Sequence, residues 1–309
     1  MSRRIRYENY DGVRNEQTLS DMFRWMKERR QNKKNLMNHI PQADKKQEKE
    51  LQNNRRSFSL TWVGHATFLI QMDGLNILTD PVWSKWMGTQ KRLTDPGISL
   101  DALPEIDIVV ISHGHYDHLD FKTIKRIKGD PEFYVPAGLK SAFTRRAYKH
   151  VTEANWWDNF TEGGLKISFV PAQHWSKRTM TDTNTSHWGG WILEDTSTSQ
   201  SVYFVGDTGY FKGFKDIEEK FDIDIVLMPI GAYEPEWFMK ISHINPEDGI
   251  KAFMDLKGKK FVPMHYGAYR LADDTGPEAL GRLLKEWDRL NLDEDLLKLL
   301  NLGETYWGS

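Results

Sequence analysis

Ile106-Asp-Ile-Val-Val-Ile-Ser-His-Gly-His-Tyr-Asp-His-Leu-Asp120 decides how this chain is read. Its first half, Ile106 to Ile111, is rich in β-branched residues, which fit a pleated surface and mark a buried strand. Ser112 and Gly114 end that run. The residues beyond it therefore form a loop at the carboxyl end of a strand, where α/β sheets carry their chemistry. Within six positions the loop holds His113, His115, Asp117 and His118. Imidazole nitrogen and carboxylate oxygen are donors that suit zinc and its first-row neighbours. Packing is a poor explanation for four such groups, because each buried polar side chain needs its own hydrogen-bond partner. Positions 113/115 and 117/118 cannot all reach one ion comfortably, so the spacing predicts two neighbouring ions that share the cluster.

Composition narrows the chemistry. The 309 residues are at the upper end of what one large domain holds, and 39% apolar against 28% charged content allows a sizeable core. Cysteine is absent. Disulfides and thiolate ligands are thereby excluded, and any metal site must be built from His, Asp and Glu. The opening Met1-Ser-Arg-Arg-Ile-Arg6 has no apolar stretch of a secretory leader, and no run approaches the ~20 apolar residues of a membrane span, so a cytoplasmic protein is expected. The net charge of −2 hides an asymmetry: residues 1–56 carry 15 Lys/Arg against 8 Asp/Glu, a balance of +7, which leaves the remainder at −9. A basic arm of this kind, with its Phe23/Trp25/Met26 cluster, is compatible with peripheral contact at the inner face of an anionic membrane or with a solvated helix. The twelve tryptophans suit apolar clefts as well as core packing.

The chain divides into two regions: a basic amino-terminal helical arm and linker at 1–56, and a larger domain at 57–309 that holds the donor cluster. Leu19–Arg30 is a predicted helix with Ser20 or Asp21 as its cap. Ser59–Val63, Ala66–Met72 and Leu75–Asp80 are predicted strands, the latter two joined at the hairpin signal Asp73-Gly74. Helices are expected over Phe121–Lys128, Gly138–His150, Phe211–Phe221, Pro246–Leu256 and Pro277–Leu290, and strands over Glu132–Val135, Leu165–Val170, Trp188–Leu193, Ser201–Val205, Ile223–Pro229 and Phe261–Met264. Such a mixture, with hairpins early, argues for an α/β layer fold with helices on the outer faces.

Three further donors end strand-like runs: His174 in Val170-Pro-Ala-Gln-His174, Asp207 in Val202-Tyr-Phe-Val-Gly-Asp207 and His265 in Phe261-Val-Pro-Met-His265. The ordered set resembles the metallo-β-lactamase superfamily over residues 57–270. The resemblance implies an αββα four-layer sandwich with a dinuclear metal site at one edge, and two Zn²⁺ per chain. It implies that His113, His115 and His174 hold one ion, that Asp117, His118 and His265 hold the other, and that Asp207 bridges them. Further stretches, including Trp62-Val-Gly-His-Ala-Thr67, Leu78-Thr-Asp-Pro81, Gly206-Asp-Thr-Gly-Tyr210 and Pro229–Lys240, are similar to the branch of N-acyl-phosphatidylethanolamine-hydrolysing phospholipases D. That similarity implies a lipid-like phosphodiester substrate, hydrolysed with zinc to N-acylethanolamine and phosphatidic acid. It also implies a catalytic histidine at His243, which sits just before the helix capped by Asn245. On physical grounds Asp117 is suited both to ligate one ion and to orient the attacking hydroxide as a base.

The alternative within the superfamily is a lactone or carboxylic ester hydrolase, since the same activated water attacks a carbonyl carbon. The acidic catalytic part argues against nucleic acid as a partner, and a homodimer is compatible with the chain. His65 reads as a structural histidine or a donor to a ligand, His187 and the Trp175/Trp188/Trp191 set as cleft lining or packing, and His39 and His150 as ordinary polar residues.

Overall fold

The computed structural model describes residues 5–15, 17–35 and 40–308; His39 and the opening four residues lie outside them. The elements are α1 (Leu19–Gln31), α2 (Glu48–Asn53), β1 (Ser59–Gly64), β2 (Thr67–Met72), β3 (Leu75–Thr79), β4 (Trp86–Met87), β5 (Gln90–Lys91), β6 (Ile108–Val110), α3 (Phe121–Ile124), β7 (Glu132–Pro136), α4 (Lys140–Thr144), β8 (Val151–Ala154), β9 (Asn159–Glu162), β10 (Leu165–Val170), β11 (Gly190–Asp195), β12 (Ser201–Phe204), α5 (Gly213–Glu218), β13 (Ile225–Pro229), α6 (Glu236–Met239), α7 (Pro246–Asp255), β14 (Lys260–Met264), α8 (Gly276–Arg289) and β15 (Thr305–Trp307).

Two large sheets result, in the orders β15-β1-β2-β3-β6-β7-β8 and β14-β13-β12-β11-β10-β9, with β4-β5 as a separate ribbon. Side-chain alternation along each strand decides the layering. In β6, Ile108 and Val110 face the core shared with Phe169, Trp191 and Phe204 of the other sheet. Val109 faces the opposite way, into a second cluster with Ile124 of α3, Phe143 of α4 and Leu51 of α2. β7 repeats the pattern, with Tyr134 inward and Phe133 and Val135 outward. On the far side, Ile250 and Phe253 of α7 and Leu283 and Trp287 of α8 cover the second sheet. Burying each such side chain contributes about 1.5–3 kcal/mol. Helix, sheet, sheet, helix is the four-layer arrangement expected from the sequence.

The opening meander forms as read. Asp73 and Gly74 both take positive φ, 50° and 73°, as a tight hairpin turn requires. Asn245 caps α7 by accepting from Asp248 N–H, with Pro246 in the first turn. The cap of α1 is Thr18 rather than Ser20 or Asp21, because Asp21 is the third helical residue and closes a capping box with Thr18. Three helices are clearly shorter than expected. The run after Ile124 tightens into i→i+3 turns, Arg126 on Thr123 and Ile127 on Ile124, so that the chain can reach β7. α4 stops at Thr144; Ala147 turns left-handed at φ 67°, and Tyr148 N–H closes on Phe143 O. The predicted helix Phe211–Phe221 shortens to Gly213–Glu218.

Candidate metal centre

Every sequence-predicted donor comes off the end of a strand or the loop after it. His113, His115, Asp117 and His118 follow β6, His174 follows β10, Asp207 follows β12 and His265 follows β14. Both sheets therefore deliver their loops to one place. The turn before Asp207 depends on Gly206: its φ is 69°, and a Cβ there would lie 2.7 Å from Ser112 Cβ. His65 and His265 also have positive φ, 58° and 62°, and are joined by a hydrogen bond from His265 N–H to His65 O. Non-glycine residues in that region cost energy and cluster at functional sites.

The donors form two groups. In one, His113 Nε2 lies 2.8 Å from His115 Nδ1, which lies 3.2 Å from His174 Nε2. In the other, His118 Nε2 is 3.2 Å from His265 Nε2 and 3.2 Å from Asp117 Oδ2. Asp207 stands between them. Its Oδ2 is 3.2 Å from His118 Nε2, 3.9 Å from His174 Nε2 and 4.0 Å from His113 Nε2, while Oδ1 is 3.0 Å from His265 Nε2.

The outer hydrogen bonds fix which ring nitrogen is free. His174 Nδ1–H donates to Ser242 O at 2.8 Å, leaving Nε2 as a lone pair. His118 Nδ1–H donates to Asp80 Oδ2 at 2.6 Å. Ser112 gives its hydroxyl proton to Asp80, so its oxygen accepts from His113 Nδ1–H at 2.9 Å. Asp80, fully buried, thus orients a histidine in each group. Leu75–Asp80 has the same apolar-run-then-donor form as the other sites, but no role for Asp80 follows from the sequence alone. His65 also takes a definite part: its Nε2–H donates to Asp117 Oδ2 at 3.1 Å. Such outer partners orient ligands and tune their basicity.

Electrostatics differ between the groups. Burial and neighbouring imidazoles hold His113 and His174 well below the ordinary histidine range. Burial works against charge on His118 and His265 too, but the Asp207 and Asp117 carboxylates override it, raising His118 well above its ordinary value and His265 to about 9. Both carboxylates are held well below their usual range against the cost of burial, by His118 first. The centre thus favours positive charge. The donor set itself fits divalent ions of the zinc class: nitrogen and oxygen only, donor atoms within 4.8 Å of one another inside each group, and a buried Asp207 Oδ1 that accepts no hydrogen bond.

Above the donors opens a cleft of about 470 Å³, lined by His115, Asp117, Asp207 and His243 on its polar side and by Trp25, Met87, Trp175, Phe238, Met239 and Leu271 on its apolar side. His243 Nδ1 is 3.8 Å from Asp207 Oδ2, and burial holds this imidazole down to about 4. The amino-terminal arm helps to build the wall. Trp25 stacks on Phe238 with centroids 5.1 Å apart and donates to Asp273 at 2.6 Å; Gln17 donates to Phe238 O. Asn9 Oδ1 accepts from His174 N–H and Trp188 Nε1–H at 2.9 and 3.0 Å. Phe23 and Met26, by contrast, point outward, 63% and 38% exposed. Trp175 lines the cleft, whereas Trp188 and Trp191 are buried. His187 packs between Tyr7 and Trp156, at centroid distances of 4.3 and 4.2 Å, and His150 is exposed.

A sequence profile described as the β-lactamase superfamily domain matches residues 75–266. The N-acyl-phosphatidylethanolamine-hydrolyzing phospholipase D 1 of Caenorhabditis elegans is 38% identical over 228 residues, 68% of this chain and 64% of the worm protein. A protein of Methanopyrus kandleri named as a metal-dependent hydrolase is 30% identical over 257 residues, 80% of this chain and 98% of that one. Among solved structures, a metallo hydrolase of the archaeon Ignicoccus hospitalis superposes with a TM-score of 0.62 at 23% identity, over 82% of this chain and 99% of its own, a likeness of fold. The chain spans a little under two thirds of the length of the first curated relatives it matches.

Proposed function

The chain belongs to the β-lactamase superfamily, and we propose that it is a dinuclear zinc hydrolase of phosphodiesters, of the phospholipase D type. Its substrate would be an N-acyl-phosphatidylethanolamine-like lipid, cleaved to N-acylethanolamine and phosphatidic acid. The observation that carries this reading is the placing of Asp207 between two donor groups at the floor of a cleft with one apolar wall. Relatives named as phospholipases D and metal-dependent hydrolases point the same way. Residues 57–309 would carry the chemistry and the arm at 1–56 would close the cleft. No helix among the described residues is long and apolar enough to cross a membrane; we place the enzyme in the cytoplasm, meeting its lipid at a membrane surface.

His113, His115 and His174 would hold one ion, Asp117, His118 and His265 the other, with Asp207 shared. When bound, a pair of such ions makes water acidic enough to attack near neutral pH and neutralises charge on a phosphoryl group. The side chains do the rest. Asp117, oriented by His65, takes the proton that the attacking water gives up as its oxygen bonds to phosphorus. The bond from phosphorus to the alcohol oxygen breaks, and His243, neutral in the free protein, would gain a proton beside the negatively charged phosphoryl group and pass it to that oxygen. The products are a phosphate monoester and the alcohol, with the elements of water divided between them. Trp25, Phe238 and Leu271 would hold the alkyl part and exclude bulk water, which strengthens every charge interaction at the floor.

The test is a hydrolysis panel on zinc-loaded protein with metal content measured in parallel. N-acyl-phosphatidylethanolamine should be converted to phosphatidic acid, with lactones and carboxylic esters turned over far more slowly. Lactone or ester turnover without phosphodiester turnover would replace this reading by the other hydrolase class of the superfamily.

A further inference from the structure

A second cavity lies on the other side of Tyr116. It holds about 760 Å³, and Arg145, Arg146 and Lys177 line it together with Ile5, Phe121 and Leu139. Tyr116 lines both this groove and the cleft over the metal centre, so the two adjoin at this residue.

The groove is unlike an ordinary solvated basic face in three respects. Its cations are unpaired: among the described residues, none of Arg145, Arg146 and Lys177 lies within ion-pair distance of a carboxylate. The acid on the lining, Asp182, is turned away, its Oδ1 accepting from the backbone N–H of Arg178 and Thr179 at 3.0 and 2.8 Å. Arg178 is occupied too, donating to the carbonyls of Gly114 and Leu119 at 2.6 and 3.0 Å, so it adds field but few free donors. Next, Arg146 is pre-positioned, its guanidinium 4.0 Å from the Phe121 ring centroid and one nitrogen on Ala142 O at 2.7 Å. Finally, large apolar side chains face solvent here: Ile5, on the lining, is 72% exposed, and Met180, next to the lining residue Thr179 in the loop that carries Lys177, is 89% exposed.

Unpaired cations beside exposed apolar side chains form a surface that meets anionic lipid, with phosphates on the cations and the apolar groups in the acyl boundary. We propose that this groove docks the protein on the phosphate headgroups of an anionic bilayer, beside the mouth of the cleft. The proposal deepens the lipid-hydrolase reading and rests on it for why docking matters. Binding itself is independent of turnover. Charge complementarity names the occupant: the groove is cationic in a catalytic part whose overall balance is −9.

The experiment is sedimentation of the zinc-loaded full chain with vesicles of phosphatidylcholine, alone or mixed with phosphatidylglycerol. Three proteins are compared: the unaltered chain, Arg145→Glu/Lys177→Glu, and Lys257→Glu/Lys285→Glu, which makes the same charge change at the α7–α8 layer. The unaltered chain should bind the anionic vesicles and not the neutral ones. The groove variant should bind roughly tenfold or more weakly, since each cation at an anionic surface adds a comparable share of the attraction. The α7–α8 variant should bind as the unaltered chain does, and all three should hydrolyse a soluble aryl phosphodiester equally. Undiminished binding by the groove variant, an equal loss in the α7–α8 variant, or equal binding to neutral vesicles would each overturn the proposal. Absence of phosphodiester turnover would strike the functional reading and leave the vesicle result standing.

Discussion

His174 and His118 make the same contact with opposite partners. His174 gives its Nδ1–H to a neutral carbonyl, Ser242 O, and His118 gives its own to the buried carboxylate of Asp80. The contrast extends to the whole of each group. His113, His115 and His174 are three imidazoles braced mainly by neutral atoms. Asp117, His118 and His265 include a carboxylate and have another behind them. A carboxylate behind a ligating imidazole raises its basicity, and a carboxylate ligand adds charge that a cation can use. The two halves are therefore chemically similar and electrostatically unequal, and the Asp117 side should hold its ion more tightly.

The largest expected effect tests that inequality. His118→Ala should reduce zinc from about two ions per chain to about one or fewer and abolish turnover, because it also strips Asp80 of its partner in a buried site. His174→Ala should keep the ion of the other half. Equal zinc loss in both variants, read by elemental analysis after graded chelation, would erase the contrast.

Next comes His243, which stands beside the three-imidazole group. His243→Ala should keep both ions yet lose ~10²–10⁴-fold in kcat on an alkyl phosphodiester. A p-nitrophenyl ester, whose leaving group needs no proton, should suffer much less. Equal loss on both substrates would make His243 a phosphoryl-oxygen contact instead of a proton donor. Asp80→Asn ranks third, with a loss of roughly 10–100-fold in zinc affinity. Because Ser112 relays Asp80 to His113, both halves should weaken; a loss confined to the His118 side would show that the relay carries nothing.

The smallest effect comes from a histidine outside both halves. Burial against Tyr7 and Trp156 pushes His187 down to about 3. The folded chain keeps it neutral, whereas the unfolded chain protonates it below about 6.5, so stability is lost as pH falls from there towards 3, at up to ~1.4 kcal/mol per unit. In urea unfolding, His187→Phe should narrow the difference in stability between pH 7 and pH 5 by up to about 2 kcal/mol. An unchanged difference would mean that His187 is not neutral in the folded protein.

The inner architecture was legible because strand alternation and strand-end donors are local signals. Ile108, Val109 and Val110 announce a strand with two covered faces, and the form of Val202–Asp207 or Phe261–His265 needs no knowledge of the fold. The illegible parts depend on distant partners. Asp80 carries the same form as the other donors, but only its contact with His118 and Ser112 reveals its work. β8, β9 and β15 are short and mixed in composition, and their pairing with β7, β10 and β1 makes them strands. Asn9, Gln17 and Trp25 read as part of a polar arm, yet they meet residues more than a hundred positions away at the cleft. α4 failed for the opposite reason: its local pattern is helical, and the need to turn into β8 cuts it short.

The pairing of β1 with β15 joins Ser59 to Trp307, and it has a consequence for how the protein is made. Roughly 250 residues must be synthesised between these partners, which at ~5–20 residues per second takes on the order of 12 to 50 s. During that interval β1 offers open hydrogen-bonding groups along one side, a template for pairing with another nascent chain. The first sheet therefore begins life with a vulnerable border, and production of the protein should respond to translation speed and to chaperone supply more than its finished stability would indicate.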